Sequence, residues 1–113
     1  MTQYLISFDD GAMDFPEEDF PAVAAAAHAV VDEAKRAGVW VFGGGLTSPD
    51  EMAVVAVDGT VTDRNPSPTR ARIGGFSVVD VASRNDALTW AAKIAVACRC
   101  DQDVREFVGD PST

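Results

Sequence analysis

Apolar positions along the chain follow two periods, and their order lays out the domain. Tyr4-Leu5-Ile6-Ser7-Phe8 is a short β-prone run ended by Asp9-Asp10-Gly11. After an acidic connector, Phe20, Val23, Ala27, Val30, Val31 and Ala34 recur at helical spacing on one face. Proline suits the first turn of a helix and glycine its exit, so the pattern predicts a helix from about Pro21 to Ala37, released at Gly38. Val39-Trp40-Val41-Phe42 and Met52-Ala53-Val54-Val55-Ala56-Val57 are strands apolar on both sides, with Gly43-Gly44-Gly45-Leu46 after the first. Asp58-Gly59 marks a tight turn, and Thr60-Val61-Thr62 is the returning arm of a hairpin.

A loop carrying three arginines leads to a further strand, Gly75 to Val81. Ser83 followed by Asp86 forms a variant capping box for a helix from Ala87 to Cys98, with Leu88, Trp90, Ala91, Ile94 and Ala95 apolar. Asp103 to Val108 reads as the last strand, and the tail Asp110-Pro111-Ser112-Thr113 is expected to fray. No repeat or low-complexity linker divides the chain, which predicts one domain over residues 1–113. With the hairpin arm set aside, the order is β-α-β-β-α-β, an α+β ferredoxin-like fold. Such a fold leaves one sheet face open. Because the strands are apolar on both sides, a second copy laid face to face is the expected cover, giving a homodimer of the dimeric α+β barrel type.

Composition narrows the function classes. Nine basic residues against eighteen acidic ones give a formal charge of −9. That field repels a nucleic-acid duplex or an anionic membrane, so neither is an expected partner. No apolar run approaches a membrane span, and the start shows no basic, then apolar, leader pattern, so a cytoplasmic location is expected. Cys98 and Cys100 lack the C-x-x-C spacing, and His28 is the only histidine, so neither a metal nor another cofactor is called for. The charges are unevenly spread. Asp9, Asp10, Asp14, Glu17, Glu18 and Asp19 crowd the start, whereas Arg64, Arg70 and Arg72 fall within nine residues.

Guanidinium offers a planar donor fork and threonine a hydroxyl, so Thr69, Arg70 and Arg72, with Arg64, suit a carboxylate or phosphate ligand. The competing reading is a solvated loop whose arginines offset neighbouring acids. Gly43-Gly44-Gly45 is not a phosphate cradle, because Thr47-Ser48-Pro49 follows where a helix should start; a bulge or close backbone approach is expected instead. Trp40 and Trp90 are expected in the core or at a dimer contact.

The stretch from Asp63 to Phe76 resembles the signature of the DGPF branch of the YCII-related proteins, D-G-P-F-A-E-T-K-E followed shortly by G-G-F. Asp63 meets the Asp, Thr69 the Thr, Arg70 stands for the Lys, and Gly74-Gly75-Phe76 is retained. The opening Y-L-I-S-F strand, Arg36-Ala37-Gly38-Val39, Gly43-Gly44-Gly45-Leu46 and Asp86-Ala87-Leu88 with Trp90-Ala91 agree in order, so the resemblance spans nearly the whole chain. The departures turn an acidic loop basic: Arg64-Asn65-Pro66 replaces Gly-Pro-Phe, and Pro68 and Ala71 replace two glutamates. The resemblance implies the dimeric α+β barrel, a cleft between helices and sheet, and a gene context beside extracytoplasmic-function sigma factors. It also implies a His and an Asp in those relatives suspected of catalysis.

Two functions remain open on the sequence. The first is a binding or regulatory module that closes the loop from Asp63 to Phe76 over a small anionic molecule in the helix–sheet cleft. The second is a cofactor-independent enzyme in that cleft, with His28 or Asp63 transferring a proton. His28 lies at the edge of the first helix with Asp32 one turn on, an arrangement that equally describes a surface His–Asp pair. Asp63, at a strand end before a loop, equally suits bonding to backbone amides ahead of it.

Overall fold

A computed structural model of the chain describes residues 1–63 and 73–109. Most of the arginine-bearing loop, including Arg64, Thr69, Arg70 and Arg72, and the tail expected to fray lie outside the described residues. The elements are β1 (Thr2–Asp9), α1 (Phe20–Arg36), β2 (Trp40–Gly45), β3 (Ala53–Val55), β4 (Val61–Asp63), β5 (Ile73–Val81), α2 (Arg84–Cys98) and β6 (Asp103–Glu106). Single 3-10 turns at Glu17–Asp19 and Pro49–Glu51 precede α1 and β3.

Four strands form one sheet in the order β2-β5-β1-β6, with each neighbouring pair antiparallel. That is the strand order of the ferredoxin-like α+β fold. β3 and β4 pair only with each other, Val54 facing Thr62. The apolar run from Met52 to Val57 is therefore no part of the main sheet, and its strand contracts to three residues because Ala56 to Thr60 make the turn. Within that turn Gly59 takes φ of +90°, and the Asp58 carboxylate accepts the Thr60 amide at 2.9 Å. The left-handed backbone explains why glycine follows aspartate here.

Helix ends obey the local chemistry. Pro21 sits in the first turn of α1, where its missing amide proton costs nothing, and Gly38 beyond its end takes φ of +75°. Ser83 caps α2 by accepting the Asp86 amide at 3.2 Å. Phe20, expected on the buried face of α1, is 62% exposed at the first residue of the helix. Its ring lies 6.5 Å from that of Phe15.

The core lies under α2. Tyr4, Ile6, Val79 and Val81 rise from the two central strands to meet Ala87 and Ala91, whose short side chains let α2 settle onto the sheet. The Tyr4 hydroxyl donates to Glu106 Oε1 at 3.2 Å, tying β6 to β1. α1 buries only Val23 and Ala34 fully. Ion pairs of Arg99 with Asp19 and of Lys93 with Glu33 tie it to α2, although their exposure makes each worth little.

Three glycines permit close contacts in the sheet. A Cβ on Gly75 would stand 2.5 Å from Phe8 Cζ, one on Gly74 2.9 Å from the Asp10 Cα, and one on Gly43 2.6 Å from the Phe76 carbonyl oxygen and 2.8 Å from the Trp40 ring. A bulge between Trp40 and Phe42 accompanies the last of these, in keeping with the bulge or close approach expected there. On the other sheet face the Phe42 and Phe76 rings meet edge to face, 5.6 Å apart.

Gly43→Ala should destabilise the fold by about 1–3 kcal/mol, the usual cost of overpacking, because backbone atoms of β5 stand in the way. Gly44→Ala meets nothing within 4 Å and should cause no loss. Urea unfolding of the two variants checks the contrast, and equal midpoints would contradict it.

Candidate functional site

Because α2 carries the core contact and α1 stands away from the sheet, a cleft of about 620 Å³ opens between α1, the C-terminal end of α2 and strands β2 and β5. Its floor is aromatic. Phe8 and Trp40 reach it from β1 and β2, with Gly75 and Gly43 making room for their rings. Gly44, Gly45, Phe76 and Ser77 complete that side.

α1 supplies the opposite wall. Ala27, Val30 and Val31 line it with apolar surface, and His28, Asp32 and Lys35 follow one another at helical spacing with polar groups. Ile94, Ala97 and Cys98 close the α2 end, Gln102 enters from the connection to β6, and Met13 from that between β1 and α1. The arrangement is an apolar slot between an aromatic floor and an aliphatic helix wall, with a cation, a carboxylate and an imidazole on the helix side. It can sandwich a planar group, pair an anion with Lys35 and accept a hydroxyl proton at Asp32.

His28 is exposed and lines this cleft with Asp32, though no hydrogen bond joins the two. Asp63 ends β4 opposite Ala53, is exposed, and does not line the cleft. Within one chain the structure therefore does not gather His28 and Asp63 around that space. The four candidate ligand residues Arg64, Thr69, Arg70 and Arg72 lie outside the described residues.

Sequence reasoning passed over several lining residues. Trp40, expected in the core or at a dimer contact, faces the cleft. Lys35 carried a readable signal, since it falls two helical turns after His28 on the same side of α1. Phe8, Cys98 and Gln102 carried none, because their meeting depends on how far α1 stands from the sheet. No group of three or more His, Cys, Asp or Glu able to hold a metal occurs among the described residues. No helix among them is long and apolar enough to cross a membrane.

Burial, with the neighbouring Cys100, pushes the Cys98 thiol above its ordinary value. Burial and the charge of Asp101 raise Cys100, partly opposed by Gln102, whose Nε2 lies 3.5 Å from the Cys100 sulfur. The thiolate is the reactive form, so raised values mean slow alkylation near neutral pH. Iodoacetamide labelling should accelerate as pH rises past the normal thiol range, with half-buried Cys100 ahead of buried Cys98. Rapid neutral-pH labelling of either would contradict this.

No protein-family model matches the chain, and no curated protein matches it in sequence. Among solved structures it is similar to the 5-chloro-2-hydroxyhydroquinone dehydrochlorinase of Burkholderia phenoliruptrix AC1100, determined in complex with 2,5-dihydroxybenzoquinone. The two share 16% identity and a TM-score of 0.55 over 99% of this chain and 98% of the other, a likeness of fold along the full length.

Proposed function

We propose that the chain is a YCII-related domain that binds a small, planar, hydroxyl-bearing anion in the helix–sheet cleft. The observation that carries this is the aromatic floor of Phe8 and Trp40 facing Lys35 and Asp32 across one apolar slot. The flat rings give a planar ligand area without fixing its identity, and the Lys35 ammonium selects for negative charge. The fold neighbour's complex with a dihydroxybenzoquinone supports a ligand of this shape, and the retained Gly74-Gly75-Phe76 supports the family. The loop from Asp63 to Phe76 closes over the ligand in this reading, with Arg64, Thr69, Arg70 and Arg72 adding anion contacts. A sensor or regulatory module is the role that this binding serves.

2,5-Dihydroxybenzoquinone itself is the probe. Its titration should quench Trp40 fluorescence, with Trp40→Phe reporting the share from Trp90. Lys35→Ala should weaken binding about tenfold, the scale of one charge-assisted hydrogen bond. Unchanged affinity in Lys35→Ala and in Trp40→Ala would rule the cleft out.

A second reading, a cofactor-independent enzyme, draws on His28 at the cleft wall and on the neighbour's being a dehydrochlorinase. In it the His28 imidazole takes or gives the proton, and Asp63 would have to arrive from elsewhere in an assembly. His28→Gln should then abolish turnover while leaving binding of the probe intact. Loss of both together would contradict that division of labour.

A homodimer formed through the open sheet face belongs to the same reading. Phe42 is 61% exposed there, and among the described residues Asp80 Oδ1, on that face by strand alternation, is buried without a hydrogen-bond partner. Phe42→Asp should shift the protein to monomer in sedimentation. A monomeric wild type would remove the dimer from the proposal.

A further inference from the structure

Gln102 enters the helix–sheet cleft from the connection between α2 and β6, and the exit of α2 sets its place there. Arg99 ends that helix with φ of 57°, the one left-handed residue other than glycine among those described. Glycine is usual at such a position. Arginine there adds a side chain that donates to Asp19 Oδ2 at 2.7 Å, joining the turn to the start of α1. The Cys100 amide closes the same turn on the Ala95 carbonyl at 3.2 Å. Backbone strain of this kind persists where its surroundings hold it, and here it carries Cys100 and Gln102 round to the cleft.

The side-chain amide of Gln102 has a defined orientation. Its Nε2 donates to the Cys100 carbonyl oxygen at 3.4 Å and lies 3.5 Å from the Cys100 sulfur. A backbone carbonyl only accepts, so the nitrogen of the amide must be the atom that faces it. Gln102 lines the cleft and Cys100 does not, so the amide oxygen is the end turned to the cleft. That Oε1 accepts no hydrogen bond among the described residues. Register sets it beside an aromatic ring: Ser7 pairs with Asp103, and one step further along both segments brings Phe8 next to Gln102. A flat group lying on Phe8 therefore presents an edge to a neutral acceptor. Lys35 belongs to the last turn of α1, the end away from the Asp19–Arg99 pair.

We infer that Gln102 is a specificity-determining residue, selecting a planar anion that carries a neutral hydroxyl on the edge away from its charge. This rests on the proposed binding of a planar anion in the cleft, and adds which polar group that ligand must keep. A phenolic hydroxyl stays protonated at neutral pH, donates to Oε1 and replaces the water that an open carbonyl otherwise holds. An ether at that place has no proton to donate, and a second carboxylate would meet the carbonyl oxygen with charge of the same sign.

Calorimetric titrations with 4-hydroxybenzoate and 4-methoxybenzoate, which differ by one methyl on the phenolic oxygen, test it. The wild type should bind the hydroxy acid about fivefold more tightly, the scale of one neutral hydrogen bond. Gln102→Met keeps the volume and removes the acceptor, so the preference should vanish while the affinity for 4-methoxybenzoate stays the same. A preference that came from the bulk of the methyl group would survive in that variant. Equal wild-type affinities, a preference retained in Gln102→Met, or loss of both ligands in it overturns the inference. Trp40 quenching by 2,5-dihydroxybenzoquinone separates the two levels. If the quinone binds while the two acids are not distinguished, the cleft reading stands and the role of Gln102 falls; if neither the quinone nor either acid binds, both fall.

Discussion

β5 can lie beside β1 in this register because residues 74 and 75 have no Cβ. At Gly75 the Phe8 ring occupies the space a side chain would need, and at Gly74 the backbone of Asp9 and Asp10 does. This contact fixes the centre of the sheet, since β1 and β5 are its two inner strands. It also aims Phe8 at the helix side, where the ring becomes floor for the cleft. One packing constraint thus accounts for both the paired glycines of the sequence and part of the floor of the candidate site. Gly43 repeats the device one strand over, letting Trp40 and the bulged start of β2 close against β5.

The two helices differ in what they do for the sheet. α2 approaches closely through Ala87 and Ala91 and seals the core over Tyr4, Ile6, Val79 and Val81. α1 stays back, anchored at Val23 and Ala34 and held to α2 by surface ion pairs. The space between α1 and the sheet is the cleft. Its polar wall follows from helical periodicity alone, which brings His28, Asp32 and Lys35 to one side. Its aromatic floor follows from strand alternation. Neither element holds a site by itself.

The order of elements was legible because each is bounded by residues with one physical use. Pro21 and Gly38 bracket α1, Ser83 starts α2, and Asp58-Gly59 turns the hairpin. The extent of the hairpin was less legible. Met52 to Val57 is apolar enough for a central strand, and only pairing shows that its partner is the short arm Val61–Asp63 rather than the sheet. Phe20 misled for a related reason. Helical spacing places it on the apolar face but says nothing of where the core stops.

By itself the sequence determined the ferredoxin-like order of strands and helices, the acidic field that disfavours anionic polymers, and the positions where side chains had to be absent. These depend on local chemistry: turn preference, capping, alternation and charge. The tertiary structure decided which chemical groups meet. It set Lys35 and Asp32 across from Trp40 and Phe8 and placed Asp63 outside their cleft. Such meetings depend on strand register and on the distance between a helix and a sheet, and neither is written in the spacing of residues along a single segment.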